Sequence, residues 1–376
     1  MYHELVLIRK IIWLAVFNIP ICDSTAQNIK PPSLNINDSA PSLKVSQWLK
    51  GEPFQTFQKG DVYVLEFWAT WCKPCIAAMP RLTAIAHNYK NKLKVLGINV
   101  YEKKITPQKV KVFVDSMGER MDYSIAVDED KFMETFWVKA SGNQGIPKTI
   151  IINAEGKIAW IGHPEDLEAV VSAILDNTWD IKQVSAKWNL NKYLANLDDS
   201  LNYELMSYKD DDFKQDYIGK PYDALLVIGE IIKNEPRLQY APFIAYNTFS
   251  SLLKTNLQKA YEYGKVVLVT PTYEEPAFDA IIGAVKTYST KVNFTAEIYQ
   301  LGAEAYQMKI DQTAYPEIVD TYKYYNDMAE WYWFAGDKSK AIEAQQKAVD
   351  VLKSKKYFSE AEMNTLKSCL QQYKKM

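Results

Sequence analysis

The chain is poor in cysteine and histidine and carries no excess charge of either sign, and each shortage closes off a class of function. Only four cysteines occur in 376 residues, Cys22, Cys72, Cys75 and Cys369, and once a leader holding Cys22 is removed the remainder cannot make an even disulfide framework. Three histidines, His3, His87 and His163, stand far apart, and no second Cys-x-x-Cys follows the first. A structural zinc site therefore lacks its set of ligands. The formal charge is −2, from 44 basic and 46 acidic side chains. That balance gives no basic field for nucleic acid, and no Lys/Arg block marks a membrane-surface patch. The apolar run Ile11 to Phe17 falls well short of the ~20 residues that cross a bilayer. What remains, 48% hydrophobic and 24% charged, is ordinary globular material, long enough for two domains.

Arg9 and Lys10 precede that apolar run, and Ser24-Thr25-Ala26 follow it, the order of a secretory signal. Cleavage is expected near Ala26-Gln27, which makes residues 1–26 a signal peptide. Lipid attachment at Cys22 is the rival, disfavoured because Ile21 stands where a small residue is expected. Cys369 is then left alone, and in a helical context it reads as a small buried hydrophobe.

The other two cysteines lie in Trp68-Ala69-Thr70-Trp71-Cys72-Lys73-Pro74-Cys75. The run Val62-Tyr63-Val64-Leu65-Glu66-Phe67 before it reads as a buried strand. The spacing of Ala77, Ala78, Leu82, Ala84 and Ile85 after it reads as a helix. The dithiol is thus expected on a strand-to-helix turn, where free amides and the helix dipole favour a thiolate on the first cysteine. Lys73 adds positive charge, and Pro74 suits a first turn whose amide hydrogens lack helical partners. Cys72 is the expected nucleophile, capping the helix at the surface, and Cys75 the shielded resolving thiol. Trp71 is expected to flank the exposed sulfur and Trp68 to lie in the core. A structural disulfide is the alternative use of the pair. Glu66 interrupts an apolar strand six residues before Cys72, either buried and functional or reaching solvent.

Strand and helix signals alternate through the first half. Strands are expected at 61–68, 93–100, 124–127, 149–152 and 158–161. Helices are expected at 73–90, through Val110 to Val114, at 131–138 and at 164–175. Asn153-Ala154-Glu155-Gly156-Lys157 has hairpin chemistry. Strand signals mostly stop near residue 180, and 20 of the 25 tyrosines lie beyond residue 190. A linker at 177–190 and a charged loop at Lys209-Asp210-Asp211-Asp212 are expected. Helices follow at 221–233, 241–265, 275–290, 294–308, 317–335, 338–354 and 359–374, with breaks at Asn234-Glu235-Pro236, Thr270-Pro271 and Ala314-Tyr315-Pro316. The pair near 317–354, turning at Gly336-Asp337 with Ala341 and Ala348 at close crossings, resembles a tetratricopeptide hairpin. One copy is short of the three that such an array needs, so irregular helical hairpins are expected.

Ala40-Pro41, Phe67 to Cys75, Met79-Pro80 and Gly145-Ile146-Pro147-Lys148-Thr149 together resemble the thioredoxin superfamily, in particular its extracytoplasmic TlpA/ResA-like branch, over residues 38–176. The resemblance implies an α/β thioredoxin-like fold, a central mixed sheet flanked by helices, in a domain spanning 27–178 with an added helix and strand within 105–137. An all-α helical-hairpin domain at 179–376 would follow. It implies that Pro147 is cis and faces the dithiol, presenting the Ile146 backbone to an extended client beside Trp71, Lys73 and Pro74. It implies that Glu66, where thioredoxin carries an aspartate, exchanges a proton with Cys75. The implied activity is that of a periplasmic thiol-disulfide oxidoreductase of reductase type, acting on protein thiols and disulfides. Its electrons would come from a membrane-bound thiol reductase, with no metal and no cofactor beyond the Cys72–Cys75 pair. A peroxiredoxin-like peroxidase is one alternative, although Thr70 lies out of register with the Pro-x-x-x-Thr-x-x-Cys pattern of that group. A helical partner-binding scaffold with an accessory redox module is the other.

Overall fold

The computed structural model describes residues 33–103, 105–142, 145–207, 221–273, 276–313, 319–355 and 358–375. The expected signal peptide with Cys22, the charged loop at 209–212 and the break at 314–316 lie outside the described residues. Strands β1 (Val45–Lys50), β2 (Val62–Trp68), β3 (Leu93–Asn99), β4 (Ser124–Asp128), β5 (Lys148–Ile152) and β6 (Ile158–Gly162) form one sheet in the order β1-β4-β3-β2-β5-β6. Strands β2, β3 and β4 pair in parallel. Antiparallel pairs join β1 to β4, β2 to β5 and β5 to β6, so the sheet is mixed. All seven residues of β2 are buried, because central strands covered on both faces read as unbroken apolar runs. Each large apolar side chain sealed there stabilises the fold by about 1.5–3 kcal/mol.

Side chains alternate across the sheet. Val62, Val64 and Trp68 face the cluster made with α1 (Lys73–Asn88), α2 (Pro107–Met117) and α3 (Leu167–Leu175). Tyr63, Leu65 and Phe67 face the other cluster, with Trp137 and Val138 of a π-helical turn at Glu134–Lys139. In the hairpin between β5 and β6, the Asn153 side-chain oxygen accepts from the amides of Glu155 (3.1 Å) and Lys157 (3.0 Å). Strand β1 has no counterpart among the expected elements. As an edge strand it buries only Leu49 and leaves Ser46 and Gln47 exposed, so its sequence carries no alternation to read.

The expected linker at 177–190 is instead helical from Ile181, within α4 (Ile181–Ser207). Asp180 explains the start, since its carboxylate accepts from the amides of Lys182 (3.0 Å) and Gln183 (3.1 Å) as an N-cap does. Ile181, Val184 and Trp188 then share one helical face and pack against the sheet. The Ser185 hydroxyl donates to the Ile36 carbonyl at 2.9 Å. At its far end the same helix packs against the helical half, through Leu194 and Asp198. One helix, about 40 Å long at 1.5 Å per residue, thus joins the two halves.

Beyond α4 the elements among the described residues are helices: α5 (Pro221–Asn234), α6 (Pro242–Thr255), α7 (Leu257–Val269), α8 (Phe278–Tyr288), α9 (Ala296–Asp311), α10 (Thr321–Phe334), α11 (Lys338–Ser354) and α12 (Glu360–Lys375). The single helix expected over 241–265 is two. Asn256 leaves helical backbone angles and caps α7, its side-chain oxygen accepting from the Lys259 amide at 2.9 Å. Helices α10 and α11 form a hairpin, turned by Gly336 at φ +80° and capped by Asp337 on the Lys340 amide at 3.0 Å. Gly302 in α9 allows the Trp331 ring so close that an added Cβ would lie 2.6 Å from it.

Candidate active site

Cys72 and Cys75 form a disulfide across the first turn of α1. Cys72 is the N-cap, in extended backbone conformation, and its sulfur accepts from the Cys75 amide at 3.3 Å. This is the expected strand-to-helix placement, with Pro74 inside the first turn. Cys75 is shielded as expected, whereas Cys72, expected at the surface, is buried as well. Cys72 is 3% and Cys75 1% exposed, and both belong to the core cluster on that face of the sheet. Trp71 is 56% exposed, Lys73 is exposed, and Pro74 is half-buried. The Ile146 carbonyl oxygen lies 3.8 Å from Cys72 Sγ. The Ile146–Pro147 peptide is cis, and both residues are half-buried. Cys72, Trp71 and Ile146 are therefore brought to one place from segments about seventy residues apart.

Glu66 is sealed, 1% exposed. Its position in β2 puts it on the same face as Val64 and Trp68, the face that α1 covers. Sheet register lines up Ile125, Gly97, Glu66 and Thr149 in one row across β4, β3, β2 and β5. The Thr149 hydroxyl donates to Glu66 Oε2, while Oε1 is buried with no hydrogen-bond partner among the described residues. Burial pushes the Glu66 carboxyl well above the usual range, and the Thr149 hydrogen bond offsets only part of that.

Three further residues near the turn were not singled out by sequence reasoning. Glu102 holds the loop before the dithiol. Its Oε1 accepts from the Thr70 amide (2.6 Å) and from Asn99 Nδ2 (3.0 Å), and its Oε2 from the Thr70 hydroxyl (3.1 Å). Beside it Tyr101 adopts φ +58°, and its carbonyl accepts from Trp71 Nε1 at 3.3 Å. Lys148, next to Pro147, turns to the opposite face and donates to the Val138 carbonyl (3.3 Å) and the Ser141 hydroxyl (3.1 Å). Burial, with the Lys192 charge nearby, lowers its pKa to about 8. A polar Asn99 closing an apolar strand was the one sequence signal for the Glu102 clamp. The histidines weighed as zinc ligands face carboxylates instead, His87 to Asp122 at 2.9 Å and His163 to Glu165 at 3.1 Å.

A family model described as the AhpC/TSA family matches residues 36–161. The chain is 32% identical over 163 residues to Protein FixW of Rhizobium leguminosarum, covering 39% of this chain and 69% of that protein. It is 30% identical over 128 residues to the thiol-disulfide oxidoreductase ResA of Bacillus anthracis, covering 33% of this chain and 68% of that one. The chain belongs to the thioredoxin-like thiol-disulfide oxidoreductases. A solved thiol-disulfide isomerase from Corynebacterium glutamicum aligns at 22% identity and TM-score 0.32, over 38% of this chain and 97% of that one. In this oxidoreductase the matched span ends in β6, and its two ends enclose the dithiol, Glu66 and Pro147.

Proposed function

We propose that the protein is an extracytoplasmic protein-disulfide reductase whose exchanging centre is Cys72–Cys75. The observation that carries this reading is the dithiol at the N-terminus of α1, beside the Ile146 carbonyl and on the sheet face where Glu66 is buried. In the reduced protein the Cys72 thiolate attacks one sulfur of a client disulfide, breaking that bond and forming a mixed disulfide with release of one client thiolate. Glu66 accepts the proton of the Cys75 thiol. The Cys75 thiolate then attacks Cys72 Sγ, the Cys72–Cys75 bond forms, and the second client thiolate leaves. Protons taken from Cys72 and Cys75 balance those gained by the two client thiols, and two electrons pass to the client. A membrane-bound thiol reductase returns the pair to the dithiol. Trp71, Lys73, Pro74 and Ile146 form the client-facing rim, and the helical half of the chain selects or docks the client.

The signal-like leader and the similarity to ResA support the compartment and the reducing direction. No observation favours a peroxidase over this reading, since Thr70 stays out of register with the peroxidatic pattern. The test is trapping in the full-length protein. Cys75→Ser is expected to accumulate mixed disulfides with protein clients that dithiothreitol releases, whereas Cys72→Ser accumulates none. Equal trapping by both variants, or by neither, overturns the assignment of Cys72 as nucleophile.

A further inference from the structure

Glu66 has one oxygen bonded to Thr149 and one with no hydrogen-bond partner among the described residues. Two donors on the same face of the sheet share that condition. Trp68 Nε1 and the Tyr123 hydroxyl are buried and have no hydrogen-bond partner among the described residues. These three atoms come from β2 and from the turn before β4, and what brings them together is Gly97. In the sheet register Gly97 is the neighbour of Glu66 on β3. A Cβ built on it would lie 3.2 Å from Trp68 Nε1 and 3.0 Å from Tyr123 Cε2. The glycine thus leaves room beside the carboxylate for an indole and a phenol to converge. The turn carrying Tyr123 is fixed against α1, for the Thr83 hydroxyl accepts from the Asp122 amide (2.9 Å) and donates to the Arg120 carbonyl (3.1 Å).

Two buried donors and one buried acceptor left open in one place are complementary, and a fold seldom leaves three such groups apart when one contact or one shared molecule joins them. We propose that Tyr123 is a positioning residue for Glu66: with the Trp68 indole N–H it supplies, through one shared water molecule, the donor that holds the carboxylate oxygen Thr149 does not reach. The proposal rests on the reading of Glu66 as the proton acceptor of Cys75. The groups facing Glu66 are few. Thr149 comes from β5, Tyr123 from the turn before β4 and Trp68 from β2, while the two cysteines and apolar side chains of α1, α2 and α3 fill the cluster on the same side of the sheet. Asp122, beside Tyr123, points outward to Lys50 (2.8 Å) and His87 (2.9 Å). The Glu66 charge in turn raises the Tyr123 hydroxyl, which burial already pushes well above its usual range. Tyr123 therefore stays protonated and acts as a donor.

A donor to the carboxylate favours its charged form. Tyr123→Phe removes one buried oxygen and is expected to move the Glu66-dependent inflection upward by about one pH unit. The readout is the pH profile of the rate at which the reduced full-length protein reduces a disulfide-bonded model peptide. In a Glu66→Gln background the same substitution is expected to move nothing. Trp68→Phe, which removes the second donor at the same place, is expected to shift the inflection in the same direction and serves if Tyr123→Phe does not fold. An inflection unmoved by Tyr123→Phe, or moved equally with glutamine at 66, overturns the proposal. A profile that Glu66→Gln itself leaves unchanged overturns the reading of Glu66 as the acceptor, and this inference with it.

Discussion

Asp198 in the helical half and Glu66 in the sheet half are both shut away from solvent, at 0% and 1% exposure, yet only Asp198 has both oxygens filled. Asp198 reaches from α4 to the start of α6, where it accepts from the amides of Phe243 (3.0 Å) and Ile244 (3.2 Å) and from the Tyr273 hydroxyl (3.0 Å). Those amides are among the first of a helix and have no partner within it, and the positive end of the helix dipole suits a carboxylate. Burial raises the Asp198 carboxyl, and its donors partly offset the rise. Among the described residues Glu66 accepts from the Thr149 hydroxyl, and burial raises its carboxyl well above the usual range. Asp198 is tied to a helix start by backbone amides on both oxygens, whereas the groups on Glu66 are side chains that leave its carboxyl able to take and return a proton.

The comparison breaks most visibly at Asp198. Asp198→Ala strips an acceptor from two buried amides and a buried hydroxyl, and is expected to lower unfolding stability by about 3 kcal/mol. Urea unfolding followed by circular dichroism measures this, and disulfide exchange by the folded fraction is expected to stay at the wild-type rate. Glu66→Gln is the converse experiment. It is expected to slow exchange by about tenfold or more near neutral pH while leaving unfolding stability undiminished, so a variant that loses stability and keeps its rate would reverse the two roles.

A smaller effect sharpens the same contrast. Both acids have folded-state pKa values raised above the unfolded ones. Each therefore binds its proton more tightly when folded and contributes stability while protonated. That contribution is lost as pH rises through the folded value. The share of stability that these two acids supply is thus expected to fall with rising pH above the unfolded carboxyl range. Glu66→Gln is expected to remove the Glu66 share of that fall, so that its advantage over wild type grows with pH. A difference that is flat across pH would contradict the burial of a titrating Glu66.

The central strands, the dithiol turn and the Ile146-Pro147 segment were legible in the sequence because each has a local signature: an apolar run, a paired spacing, a dipeptide. Glu66 was legible as the one charge in such a run. What escaped notice is joined through the tertiary fold. Glu102 lies thirty-two positions from the Thr70 it holds, and Tyr123 nears Glu66 only because β4, β3 and β2 stand side by side. Strand β1 was missed because an edge strand has too few buried positions to alternate. The break at Asn256 and the helix start at Asp180 were written in ordinary capping residues, outweighed in the reading by apolar periodicity and by the composition change near residue 180. Asp198 stood in a polar stretch of α4, with nothing local to separate it from a solvated charge.

The most direct test of the account is an equilibrium redox titration of the full-length protein against dithiothreitol, followed by tryptophan fluorescence, with Cys72→Ser as control. The account predicts one two-electron transition that needs Cys72 and lies toward the reducing end of this superfamily, about −270 mV rather than about −120 mV. A transition at the oxidising end would make the protein a disulfide donor, and the absence of any Cys72-dependent transition would contradict the assignment of the dithiol as its working centre.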